Sequence, residues 1–192
     1  MKNIDFTRNM TTSKLLTITV LSLIVLAPMV AQAESNQNSG VLSPQEKEIY
    51  EELSVKWWQW ALEIPNKPSS IHPILDKKGK SCDTEQSGPV WFLAGTAGGT
   101  AERSCTIPKD KAILVPIINA ATWIPTDGTT KGEIKQAAKS LMDHVTEVET
   151  TVDGIKLKNL KEDYRFQSKF FTFTGPDNPD ETIYPGQSGI LT

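Results

Sequence analysis

Histidine and cysteine are scarce in this chain of 192 residues, with two of each. A zinc site takes three or four ligands, and His72 and His144 lie far apart with no Cys beside either. No metal is therefore expected. His72 reads as a loop residue, and His144 as the end of a helix whose dipole its charge would complement. The chain also lacks GxGxxG, a Gly-Lys-Ser/Thr phosphate loop, GxSxG, HExxH, an SxxK set and an EF-hand loop, so neither a cofactor nor a familiar nucleophile is expected. Asp127-Gly128-Thr129 has the residues of an aspartic-protease loop in the wrong order and reads as a turn. Excess positive charge is absent as well: the formal net charge is −3, which argues against a nucleic-acid partner.

The one long apolar run, at 15–30, contains Thr17, Thr19, Ser22 and Pro28 and falls short of the roughly 20 apolar residues a spanning helix needs. Lys2, Arg8 and Lys14 against Asp5 precede it, and Ala31-Gln32-Ala33 follows. Basic start, short apolar core and A-x-A site make residues 1–33 a signal peptide cleaved after Ala33. The mature protein is then secreted or periplasmic, with no stable membrane span. Taking 33 residues from 192 leaves 159, and with them go 3 of 20 basic and 1 of 23 acidic residues, for a mature net charge of −5. That length suits one domain with a real core.

Exported thiols meet an oxidising compartment, so Cys82 and Cys105 are expected to form a disulfide. It closes a loop of 24 residues, for which chain entropy gives about 3.4 kcal/mol.

Residues 34–42 are small and polar, a flexible tether, and a single globular domain is expected over 43–192. Ser43-Pro44-Gln45-Glu46 is a capping-box helix start, and Pro65 ends that helix near Glu63. Ile49, Leu53, Trp57, Trp60 and Ile64 align on one helical face. Core packing is the expected fate of these tryptophans, with Trp58, off the stripe, the choice for a sugar-stacking platform. A connector follows at 65–89. The apolar run 90–94 reads as a strand buried on both faces, and GTAGGT as a tight turn to the next strand. A second run, 112–120, holds Pro116, which confines it to an edge or a bulge. An amphipathic helix begins at Lys131, with Ile134, Ala138, Leu141 and Val145 on its apolar face. In VTEVETTVDGIKL the period changes to two. Asp153-Gly154 turns the chain so that Val152 meets Ile155, leaving Glu147 and Glu149 on the solvent face. Residues 164–174, dense in Phe, supply another strand.

A polar set gathers around the two cysteines: Asp83, Glu85, Gln86, Arg103 and Asn119, beside Trp91. Arg103 is one of two arginines in the mature chain, and a guanidinium holds a carboxylate or a flat polar ligand by a bidentate contact. The competing reading is an ion pair with Asp83 or Glu85.

The segments WWQW, Gln86-Ser87-Gly88-Pro89-Val90-Trp91-Phe92-Leu93-Ala94-Gly95, Arg103-Ser104-Cys105 and Pro116-Ile117-Ile118-Asn119 together resemble an uncharacterised family of exported microbial proteins. The resemblance spans residues 55–175. It implies that these positions belong together and brings no activity. Relatives continue past this end with further sheet strands, so a C-terminally incomplete sheet is expected.

The fold expected is α+β: an antiparallel, sandwich-like sheet with two amphipathic helices and one disulfide. The function expected is a non-enzymatic module binding a small molecule or glycan through Arg103, Gln86, Asn119 and Trp91. The alternatives are a hydrolase using an acid at Asp83 or Glu85, and an assembly subunit that pairs an open strand edge with a protein partner.

Overall fold

The computed structural model describes residues 2–5, 42–181, 183 and 189–191. The apolar run at 15–30, the Ala31-Gln32-Ala33 cleavage site and the tether up to residue 41 lie outside the described residues. Strand β1 (Lys2–Asp5) lies within the expected leader and pairs antiparallel with a later strand, β3 (Ser104–Ile107).

Helix α1 (Pro44–Glu63) starts where the capping box places it. The Glu46 amide donates to Ser43 Oγ at 3.3 Å, and the Ser43 amide donates to Glu46 Oε2 at 2.7 Å. Its two halves have different fates. Trp57, Trp58, Trp60, Ala61 and Leu62 are buried, whereas Ile49, expected on the buried stripe, is 55% exposed. The helix outruns the short strands beneath it, and its first turns overhang a cleft.

The main core joins the second half of α1 to Ile74 and to Phe171 and Phe173 of β7 (Phe171–Phe173), with Phe92 and Leu114 packed alongside. Trp57 meets Trp58 edge-on at 5.0 Å between ring centroids, and Trp60 leans on Phe92 at 5.8 Å. The Trp57 indole donates to the Leu93 carbonyl and that of Trp60 to the Thr84 carbonyl, each at 3.0 Å. Trp58 is only 7% exposed and offers no stacking platform.

The architecture is mixed helix and strand, as expected, but its sheets depart from a single antiparallel layer. The described strands form four two-stranded sheets. Strand β2 (Val90–Phe92) pairs in parallel with β4 (Ala112–Leu114), while β1–β3, the hairpin of β5 (Thr151–Val152) with β6 (Ile155–Lys156), and β7 with β8 (Gly189–Leu191) are antiparallel. The glycine segment after β2 does not fold the next strand back onto it. Arg103 holds the carbonyls of Ala94 and Gly95, and the Ser104 amide donates to the Lys78 carbonyl at 3.2 Å, so β3 is drawn to the 78–82 turn instead. Gly79, with φ +80, makes that approach possible: a Cβ there would lie 2.5 Å from the Ser104 carbonyl oxygen. β2 and β4 are thus joined by a crossover, and a crossover yields parallel strands.

Strand β4 stops before Pro116, in keeping with the lost amide donor. Helix α2 (Lys131–Asp143) is capped by Thr130 and Glu133, buries Ile134 and Ala138, and leaves Leu141 54% exposed. His144 closes it, with Nδ1 2.6 Å from the Ser140 carbonyl. In the hairpin Val152 faces Ile155 and Gly154 has φ +80, as the Asp-Gly turn requires. Its apolar face is uncovered, however: Val152 and Ile155 are 53% and 68% exposed. Glu149 pairs with Lys156 at 3.0 Å. The strand expected over 164–174 contracts to β7. Helix α3 (Leu160–Asp163) precedes it, and Phe166 stacks on Tyr50 of α1 at 5.2 Å.

Candidate functional site

Cys82 and Cys105 form the disulfide, with Cα atoms 5.9 Å apart. Around it the structure gathers three of the four residues singled out for ligand binding, Gln86, Trp91 and Arg103, and the polar groups of Gln86 and Arg103 turn to the backbone. Gln86 Nε2 donates to the Phe92 carbonyl at 2.8 Å and to the Cys82 carbonyl at 3.1 Å, while its Oε1 accepts from the Phe92 amide at 2.9 Å. One side-chain amide thereby does for Phe92 what a neighbouring strand would do. Trp91, on the opposite face of β2, packs with Cys105 and Ile107, and Cys82 and Leu93 pack against this cluster. Its buried indole N–H has no partner among the described residues.

Arg103 donates through Nε to the Asp76 carbonyl at 2.6 Å, through Nη2 to the Ile74 carbonyl at 3.1 Å, and through Nη1 to the carbonyls of Gly95, at 3.0 Å, and Ala94. Burial pushes its pKa below the usual guanidinium value, and Asp76 opposes the shift. The charge partner is thus Asp76 rather than Asp83 or Glu85. Burial alone would raise the Asp76 carboxyl, but the amides of Ser81, Lys78 and Gly79, with Arg103, hold it below its ordinary 3.8. Its oxygens accept from Lys78 at 2.8 Å and Ser81 at 2.7 Å.

His72 is fully buried. Nε2 sits 2.9 Å from the Ala61 carbonyl of α1, and Nδ1 accepts from the Ile74 amide at 3.1 Å. Those partners require a neutral ring with its proton on Nε2. Burial lowers its pKa below 6.5, against a smaller upward pull from Ala61. His72 and Arg103 consequently grip Ile74 from two sides, one by its N–H and the other by its carbonyl.

Asn119 stands apart, exposed on the segment after β4, and Asp83 and Glu85 are exposed on the surface. Four carboxylates, Glu46, Asp76, Glu133 and Asp143, are held below their ordinary values. A general acid needs the opposite displacement. No group of three or more His, Cys, Asp and Glu among the described residues is arranged to hold a metal ion.

The open space lies elsewhere. A cleft of about 250 Å³ runs between the first turns of α1 and the β2–β4 pair, lined by Glu46, Ile49, Tyr50, Leu53, Val90, Ala112, Ile113 and Leu114. The strip beside it is apolar and exposed: Ile113 at 40%, Val115 at 47%, and Ile117 and Ile118 both at 42%. In the sequence these residues look like ordinary core positions, and no local pattern distinguishes a stripe that is covered from one that is not. No helix among the described residues is long and apolar enough to cross a membrane. Comparisons of the chain with family models, curated proteins and solved structures found no match.

Proposed function

We propose that this is an exported, non-enzymatic binding module whose recognition surface is the apolar cleft between α1 and β4, with a small apolar ligand as its occupant. The observation that carries the reading is the cleft itself: about 250 Å³, walled by Ile, Leu, Val and Tyr side chains and open to solvent. A cavity of about 150 Å³ suffices for benzene, so this space suits one or two fused rings. Glu46 and Tyr50 are the residues with polar groups among the lining, and the Glu46 carboxylate is taken up by the Ser43 cap, which suits an apolar occupant. A glycan is less well served, because Trp57, Trp58, Trp60 and Trp91 are all buried. Export rests on the leader pattern, and the disulfide accords with it.

An NMR titration with naphthalene tests the proposal. Saturable shifts confined to Ile49, Leu53, Val90 and Leu114, weakened about tenfold or more by Ile113→Asp, are expected. Absence of saturable binding, or equal binding by that variant, rejects it. The assembly reading has its own support in β4, which among the described residues pairs only with β2. A solution mass above one chain that drops in Ile113→Asp would favour assembly over ligand binding.

A further inference from the structure

We propose that His72 is an acid-sensitive latch, holding the 72–76 turn against α1 and, through Ile74, governing the grip of Arg103 on the segment just after β2. The neutral ring bridges two elements, the Ala61 carbonyl of α1 and the Ile74 amide of the turn. A second proton would sit on Nδ1 and point at the Ile74 N–H, replacing a hydrogen bond by two opposed donors in a fully buried place. Ile74 cannot shift alone, because its carbonyl and that of Asp76 accept from Arg103, whose other donors fix Ala94 and Gly95. Releasing one amide therefore loosens the connection between α1, the turn and the strand that carries Trp91.

The charges around the ring are few. Its own turn contributes Asp76, whose carboxylate is taken by the Lys78 and Ser81 amides. The segment before β3 contributes Arg103, set on carbonyls. From α1 the facing group is the neutral Ala61 carbonyl, with Glu63 exposed two residues on, and the 65–70 segment contributes the Asn66 side chain, which accepts from the His72 amide at 3.3 Å, and Lys67, paired with Glu181. None of these holds a proton on the ring as an ion pair would. Because burial lowers the folded pKa, the unfolded chain binds a proton below about pH 6.5 that the folded one refuses, so this stabilisation is present above that pH and is lost as the pH falls. The contribution of Asp76 is lost at lower pH, below its ordinary 3.8, which separates the two windows.

Amide exchange and histidine-ring NMR on the disulfide-bonded protein decide the matter. Between about pH 7.5 and pH 5 the protection factor of the Ile74 amide should fall about tenfold or more, while that of Trp60 in α1 holds. In His72→Gln the Ile74 value should no longer depend on pH. Constant Ile74 protection in the wild type, or an equal fall in the variant, overturns the proposal. Should His72→Gln fail to fold, the wild-type ring signals suffice. An Nε2–H tautomer that gives way together with Ile74 protection supports the latch, and a ring that titrates while Ile74 protection stays constant refutes it.

Discussion

Arg103 shows how a residue that looks like a ligand contact becomes a clip. Four backbone carbonyls from two separate segments accept from one guanidinium, a planar fork that a lysine ammonium does not reproduce. Truncation to Ala would leave those carbonyls without a donor and Asp76 without its charge partner. Arg103→Ala should therefore lose about 3 kcal/mol in urea unfolding, with Arg103→Lys recovering only part of it, while naphthalene binding by the folded fraction is unchanged. A variant as stable as wild type would show that the clip contributes nothing. The rarity of arginine and the nearby disulfide marked this residue in the sequence. The carbonyls it serves belong to residues 74–76 and 94–95, and their convergence on Arg103 is a product of the fold that spacing along the chain does not encode. Gln86 follows the same logic, since its strand-like bonds to Phe92 exist only once β2 has formed beside it.

At the scale of elements, what was legible is what is local. The start of α1, the start of α2 and the Asp153-Gly154 hairpin each depend on residues within a few positions of one another, and all three form. The parallel β2–β4 pair depends on where Arg103 and the disulfide send the chain between them, which is why an antiparallel sheet was expected instead. The apolar stripes were legible as stripes, but whether Ile49, Val152 or Ile155 is covered depends on distant segments. One consequence concerns the cleft. The first turn of α1 is held by Ser43, and that same turn supplies Glu46 to the cleft, with Ile49 and Tyr50 on the next. Ser43→Ala should cost about 1 kcal/mol and fray this end, so that naphthalene binding weakens more than global unfolding changes. Circular dichroism against urea, run beside the binding titration, reads both quantities. Unaltered binding would mean that the cap does not shape the cleft.

At the scale of the whole molecule, two hydrophobic clusters of unequal size stand out among the described residues. The larger joins α1 to β7 and the turn at Ile74; the smaller contains Trp91, Cys105 and Ile107, with Cys82 and Leu93 against it. Three buried residues remove little apolar surface from water, and the buried Trp91 N–H, without a partner among the described residues, detracts further. The smaller core therefore leans on the covalent link through its centre, and Gln86 and Arg103 tie it to the larger by way of Phe92 and Ile74. Opening the Cys82–Cys105 bond by a reductant, or replacing both cysteines by Ala, should lower stability by up to about 3.4 kcal/mol, a large share of the 5–15 kcal/mol that domains usually possess. The loss should be uneven. Amides of β2 and β3 around Trp91 should lose protection first and in mild conditions, while Trp57 and Trp60 keep their indole hydrogen bonds to Leu93 and Thr84 until the main transition. Residue-resolved exchange on oxidised and reduced protein distinguishes this from a single cooperative unit, in which every amide would lose protection equally. Equal loss throughout would mean that the bond stabilises one cooperative unit rather than the smaller core, and no change in the unfolding midpoint on reduction would mean that hydrogen bonds and packing alone hold that core in place.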